Sequence, residues 1–322
     1  MHDQRKVKEE LSEAAKKTNQ TAIDEFRAVY EAAFELQRAN RLDRPALDFL
    51  ATVLRTNPEQ YTLLAYRRRI YDHLWEADPL TKDTDLDHEL TFCTNIISKD
   101  FKVYAIWLHR RWILRQLSAE KRDLVLKADL KQCEKLLSVD ERNFHVWGYR
   151  RWVTSQLRTS GLYADSTENT FTKNQIAKNF SNYSAWHSRG LLLQRALLDP
   201  HQRAAVAQQV EEDIDLVTRA VYVDPNDQSA WFYAMYLVEV VTGAEGNEQL
   251  RDKVVASLTN SCTELAQDAE GTGEPVPYWI TLMRALVLGC TQTEARRHYT
   301  ALVDTDPARR GFYEDQLKAN TA

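Results

Sequence analysis

Lys102, Tyr104, Arg142 and His145 are the residues whose types and spacing could do chemistry. They stand out against a motif that recurs along the chain. Residues 140–152 read Asp-Glu-Arg-Asn-Phe-His-Val-Trp-Gly-Tyr-Arg-Arg-Trp, and variants are centred on Trp107, Trp186 and Trp231. A first copy has Leu64 where the tryptophan belongs, and a weak last copy centres on Trp279. Five residues before these anchors the series runs Glu59, Lys102, Arg142, Ser181, Asn226, so only the second and third copies place a cation there. Two residues before them it runs Thr62, Ala105, His145, Ser184, Ser229, and the imidazole is unique. Tyr104 carries a hydroxyl close in sequence to Lys102. Two cations, a phenol and an imidazole at helix starts suit a phosphate, because free N–H groups and the helix dipole favour an anion there. A solvated basic rim is the competing reading of the same residues.

The elements that must position these groups follow from the period. The anchors at 64, 107, 147, 186, 231 and 279 are 43, 40, 39, 45 and 48 residues apart. A repeat of about 40 residues signals stacked supersecondary units in a solenoid. Each unit reads as two helices. In the third, Leu124, Val125, Ala128, Cys133, Leu136 and Leu137 mark one apolar face, a turn holds Asp140, and a second helix runs from about Phe144 to Leu157. Pro58, Pro79, Pro200, Pro225 and Pro307 each follow Asn or Asp, which is turn chemistry. No run of alternating β-branched residues intervenes, so the predicted fold is all-α. Residues 1–20 read as a charged N-terminal extension and 21–322 as a single helical-repeat body, with a short helix after Pro307 capping the stack.

The repeated residues read mainly as structure. Each Trp and the Arg three positions later share a helix face. A large aromatic once per repeat is inter-repeat cement. Arg67, Arg110, Arg150 and Arg189 share that phase, and their planar forks could tie neighbouring helices through carboxylates and carbonyls. Tyr61, Tyr104, Phe144 and Tyr183, three before the anchors, read as repeat packing.

Composition sets further bounds. With 43% hydrophobic and 28% charged residues the chain is an ordinary soluble one. A net charge of −5 argues against nucleic acid as the main ligand. No apolar run reaches membrane-spanning length, and the start lacks the apolar core of a signal peptide. Cys93, Cys133, Cys262 and Cys290 are scattered, as buried thiols of a reducing cytoplasm would be. No P-loop, dinucleotide fingerprint, H-E-x-x-H or zinc-finger spacing is present. Any catalysis therefore calls for a second chain.

The repeats, of the form N-x-x-x-W-x-x-R, resemble those of the protein prenyltransferase α subunits over roughly residues 45–290. Residues 140–145, 179–187 and 224–233, with the opening Met1-His2, are most similar to the Rab geranylgeranyltransferase (type II) branch. The resemblance implies a right-handed α-α superhelix wrapped around a catalytic β subunit that holds zinc. It implies transfer of a geranylgeranyl group from geranylgeranyl diphosphate to cysteines of a Rab GTPase presented by a Rab escort protein. By the same resemblance Lys102 and Tyr104 lie near the diphosphate and His145 faces the same site, with Arg142 a further candidate. His2 would be a transient fourth zinc ligand. Leu64, and Ala234 in place of an Arg, depart from the pattern, and the length matches the compact fungal form. The α subunit shared by farnesyltransferase and the type I enzyme, and a non-catalytic helical-repeat scaffold, are the alternatives.

Overall fold

The structure is a computed structural model that describes residues 13–243, 248–287 and 292–319. His2 and the first residues of the expected extension lie outside them. Helix α1 (Glu13–Arg38) begins within that extension and leads, among the described residues, into seven helical pairs. These are α2 (Arg44–Thr56) with α3 (Tyr61–Ala77), α4 (Lys82–Lys99) with α5 (Tyr104–Gln116), and α6 (Ala119–Val139) with α7 (Phe144–Thr159). They continue as α8 (Asp165–Lys178) with α9 (Tyr183–Leu197), α10 (Arg203–Val223) with α11 (Gln228–Thr242), α12 (Glu248–Thr272) with α13 (Tyr278–Val287), and α14 (Gln292–Thr305) with α15 (Arg310–Ala319). Among the described residues there is no strand, so the all-α prediction holds. The chain divides into two compact units, 1–129 and 130–322, with the division inside α6.

The sequence punctuates these helices as turn chemistry requires. Pro79 and Pro200 each open a short 3-10 turn between pairs and Pro307 opens one within the last pair, while Pro58 and Pro225 sit in other turns within pairs. Asn143 and Asn182, four residues before their tryptophans, are N-caps. Their side-chain oxygens accept from Val146 N at 3.0 Å and Ala185 N at 3.1 Å. All six anchors are buried. Four indoles donate to the carbonyl six residues back: Trp107 to Phe101 at 3.1 Å, Trp147 to Glu141 at 2.8 Å, Trp186 to Phe180 at 2.8 Å and Trp231 to Pro225 at 2.9 Å. The indole thus buries its apolar body while its one donor is satisfied by the turn it covers, which is what a buried Trp needs.

The repeated Arg is a clamp between successive repeats. Arg67 Nε and Nη2 reach Glu89 of α4, both at 2.6 Å, while Nη1 donates to the Leu47 carbonyl of α2 at 2.6 Å. Arg110 pairs with Asp129 of α6 at 2.9 and 2.6 Å and donates to the Leu90 carbonyl of α4 at 3.2 Å. Arg150 pairs with Glu168 of α8 at 2.9 and 2.7 Å and reaches Glu134 of α6 at 3.4 Å. Arg189 pairs with Asp213 of α10 and donates to the Asn169 carbonyl of α8 at 2.9 Å. Each clamp therefore spans the two helices flanking its own. The four arginines and the acids Glu89, Asp129, Glu168 and Asp213 are all buried. Those four acids fall at one register, 18 residues before the next tryptophan.

In the first clamp a wholly buried histidine joins the pair. His109 Nε2 lies 2.6 Å from Glu89 Oε1, with its ring stacked on Trp112 at 5.4 Å. Burial holds its pKa below the usual 6.5 despite the neighbouring carboxylate, so the ring is neutral and donates its Nε2–H. Burial pushes Glu89 up, but hydrogen bonds from His109 and Arg67 outweigh it and hold the carboxyl at about 2.

Two expectations follow. Arg150→Ala leaves Glu168 buried without its fork, which should cost about 3–5 kcal/mol in urea unfolding. Arg150→Met with Glu168→Leu should restore most of that loss, since an apolar pair leaves no stranded charge. Both depressed pKa values make the unfolded chain bind more protons than the folded one, so stability falls with falling pH. The His109 contribution is lost as pH drops below about 6.5, and that of Glu89 between about 4.5 and about 2. His109→Gln should remove the first of these steps, and leave the second, in unfolding midpoints measured from about pH 7.5 down to about pH 2.

Candidate functional site

The turn entering the second helix of each pair is where the repeats depart from one another. In the first unit it carries Lys102 and Tyr104. Lys102 is exposed in the turn, its own N–H bonded to Asp100 Oδ1 at 2.9 Å. Tyr104 is the first residue of α5 and 46% exposed, its ring tilted against Tyr61 at 6.4 Å. The two thus share one solvent-facing helix start. One expected donor there is already used, because the Tyr104 N–H donates to Glu59 Oε1 of the preceding repeat at 2.9 Å. An anion at this turn would meet the lysine ammonium and the phenol rather than that amide.

In the second unit the corresponding turn carries Arg142 and His145. Arg142 is exposed, and His145, the second residue of α7, is half-buried with its ring 3.9 Å from that of Phe144. Arg142 also borders a polar depression of about 430 Å³ with Ser181, Asn226 and Asp227. Burial pushes the Asp227 carboxyl up, but hydrogen bonds from Ser181 and Ser229, with the Arg142 charge, hold it below the usual carboxylate range. Part of the Arg142 field therefore falls on the half-buried Asp227.

The residues three before the anchors correct the packing expectation. Tyr61, Tyr104, Phe144 and Tyr183 are 46%, 46%, 68% and 56% exposed. They open their helices, and from that first position the side chain stands off the end of the pair instead of entering the core beneath the Trp. Phe232 of α11 is exposed as well. Between α9 and α11 lies an apolar groove of about 280 Å³, lined by Tyr183, His187, Leu191, Phe232 and Tyr236 among others. Its floor depends on a glycine. A Cβ on Gly190 would meet the Tyr236 ring at 2.9 Å, and the Tyr236 hydroxyl donates to the Gly190 carbonyl at 2.9 Å. The aromatics three before the anchors leave apolar side chains exposed at successive helix starts.

Two features escape a reading of the sequence. The clamp acids leave a findable signal, since an acid 18 residues before each tryptophan is as periodic as the Arg. The Glu59 contact leaves none, because its partner lies 45 residues away in the next repeat. Among the described residues no cluster of His, Cys, Asp and Glu is placed to hold a metal ion. Cys93, Cys133 and Cys262 are buried thiols, and burial raises that of Cys262 to about 11, so it stays protonated. No described helix is long and apolar enough to cross a membrane.

Four stretches, residues 86–117, 126–157, 165–196 and 210–240, match the protein prenyltransferase alpha subunit repeat. Over 248 residues the chain is 35% identical to the geranylgeranyl transferase type-2 subunit alpha of Rattus norvegicus, covering 74% of this chain and 42% of that protein. The chain thus spans less than half the length of this relative. The subunit of the same name from Saccharomyces cerevisiae is 27% identical over 318 residues, 94% of each chain. That from Candida albicans is 28% identical, covering 99% of this chain and 98% of its own. A solved structure of Candida albicans protein geranylgeranyltransferase-I complexed with GGPP superposes with a TM-score of 0.62 at 20% identity, over 99% of this chain and 95% of that one, a likeness of fold. The matched stretches coincide with the pairs from α4 to α11, and the α2–α3 pair outside them carries the same Arg clamp. The chain belongs to the protein prenyltransferase α-subunit family.

Proposed function

We propose that this chain is the α subunit of a heterodimeric Rab geranylgeranyltransferase of the cytoplasm, working with a β subunit that holds the zinc. The observation that carries the reading is the shared name of relatives aligned over nearly the whole chain, joined to one helix start that exposes both Lys102 and Tyr104. The exposed aromatics and the α9–α11 groove supply apolar surface for a partner subunit. The α subunit shared by farnesyltransferase and the type I enzyme is the rival reading, and the 20%-identical type I structure bears on fold alone.

In the reaction, an acceptor cysteine of a Rab GTPase, presented by the escort protein, forms a C–S bond to C1 of the geranylgeranyl group. The C–O bond to diphosphate breaks, and its electron pair leaves with the diphosphate oxygen. Zinc on the partner would supply the acceptor as thiolate. The residues of this chain act on the leaving group. Lys102 places a full charge and Tyr104 a hydroxyl donor where negative charge grows, so both count for more in the transition state than in the bound substrate. His145 contributes a neutral donor to the same group, and Arg142, shared with Asp227, a weaker field.

The assembled pair should modify a Rab protein only with the escort protein present and should ignore short C-terminal C-a-a-X peptides. Efficient farnesylation of such a peptide would move the chain to the type I and farnesyltransferase branch. Lys102→Ala should slow single-turnover transfer at saturating isoprenoid diphosphate by roughly a hundred-fold, about 3 kcal/mol, with a smaller change in isoprenoid affinity. His145→Ala should cost less, because a neutral donor is a weaker contact than a charge. Lys99→Ala, at the exposed end of α4, is the matched control. Equal rates for the Lys102 and Lys99 variants in an intact heterodimer would remove Lys102 from the site.

A further inference from the structure

The clamp that joins each repeat to the next stops at one junction, and both halves are missing there. The position three after Trp231 holds Ala234, and the position 18 before Trp279 holds Ser261. Both are buried, so these are the two sites where a fifth Arg and its carboxylate would stand. Among the described residues, no acidic side chain of α12 is buried in their place. Losing both together avoids a stranded charge, which is the condition for a clamp to be absent without damage. The stretches that match the family repeat also end at residue 240, just ahead of this junction.

What remains between α10–α11 and α12–α13 is mostly non-directional. Val254, Leu258, Cys262, Ala266 and Ala269 form the buried face of α12, and small residues at such a face permit sliding. Besides one long hydroxyl contact between Thr218 and Ser257 at 3.5 Å, the polar contacts across it lie at the surface or at one end. Lys253 meets Glu211 at 2.6 Å with both side chains more than half exposed, Tyr222 meets Glu264, and the Trp279 indole donates to the Asn226 carbonyl at 3.2 Å. By contrast the helices beyond the junction are tied to one another. Arg284 donates to the Cys262 carbonyl at 3.2 Å. Arg309 lies over the Trp279 ring at 4.5 Å and pairs with Asp306, which also accepts from Tyr313.

We infer that the α11–α12 junction is a built-in joint at which α12–α15 open as one unit while the clamped helices before them keep their register. Buried, bidentate ion pairs contribute register more dependably than net stability. A junction lacking one is held by packing, which tolerates shear, and a helix group joined to its neighbour without a buried ion pair can open as a separate unit.

Hydrogen exchange of the full chain tests this, with the α2–α3 pair as the control for fraying of a terminal repeat, since that pair is clamped through Arg67. Amides of α12, α14 and α15 should exchange at least about ten-fold faster than those of α8–α11 and of α2–α3, through one common opening. Ala234→Arg and Ser261→Asp should each speed that exchange by burying an unpaired charge. The double variant rebuilds the clamp and should exchange more slowly than either single variant and than the unmodified chain. Equal protection across the chain, fraying of α2–α3 to the same degree, or a double variant no slower than the unmodified chain would each overturn the joint.

Discussion

A guanidinium fork closed on a carboxylate inside an apolar helix stack is the constraint on which this architecture rests. Neither charge is tolerable there alone, because desolvation costs several kcal/mol per ion and is offset only by good pairing geometry. The bidentate distances of 2.6–2.9 Å in the Arg67, Arg110 and Arg150 clamps meet that condition. Because the acid of each bidentate pair belongs to the repeat after the Arg, no hairpin closes its own fork. Neighbours must pack in one register before either is neutralised. A solenoid built from near-identical units is prone to slipped pairings, and a buried directional pair penalises each slip by stranding two charges. The tryptophans alone, cemented by apolar contact, would not discriminate so sharply.

That division of labour explains how one repeat carries both scaffold and site. From the anchor onward the second helix is committed to the stack, with Trp, Arg and their partners buried. The residues five and three before the anchor lie largely at the surface, and the position two before it varies, buried at Ala105 and Ser229 and half-buried at His145. Variation at the positions five and two before the anchor leaves the clamp untouched, and Lys102 and His145 stand in those positions. The same geometry exposes the aromatic that opens each helix. Residues that bear chemistry and exposed aromatics thus share the turn and helix start before the anchor.

How much of this is legible in the sequence follows from the range of each interaction. Periodicity marks the helix pairs, since burial of one face per helix writes itself into local spacing. The Arg reads as a tie between helices for the same reason. Its acids are harder to see because Asp and Glu are common on solvated faces, and only alignment to the next Trp, not to the Arg itself, makes the 18-residue register plain. The exposed aromatics mislead because composition suggests burial for Tyr and Phe, whereas the first position of a helix points the side chain away from the stack. His109 in the first clamp and Glu59 at the start of α5 depend on which repeats touch, information that no single window of sequence holds.

The repeat that lacks a clamp shows why both halves had to change together. With Asp213 already satisfied by Arg189 and by the Tyr233 hydroxyl at 2.6 Å, the fifth repeat closes its upstream face fully. Its downstream face had either to offer an arginine to an acid in α12 or to become apolar. An arginine in place of Ala234 alone, or an acid in place of Ser261 alone, would have been a buried ion without a partner, costlier than any flexibility gained. Alanine opposite serine is the neutral solution, and it fits a junction at which the recognisable repeats end. The helices beyond it then depend on their own contacts, centred on Arg309 between Trp279 and Asp306, rather than on the register set by the clamps from Arg67 to Arg189.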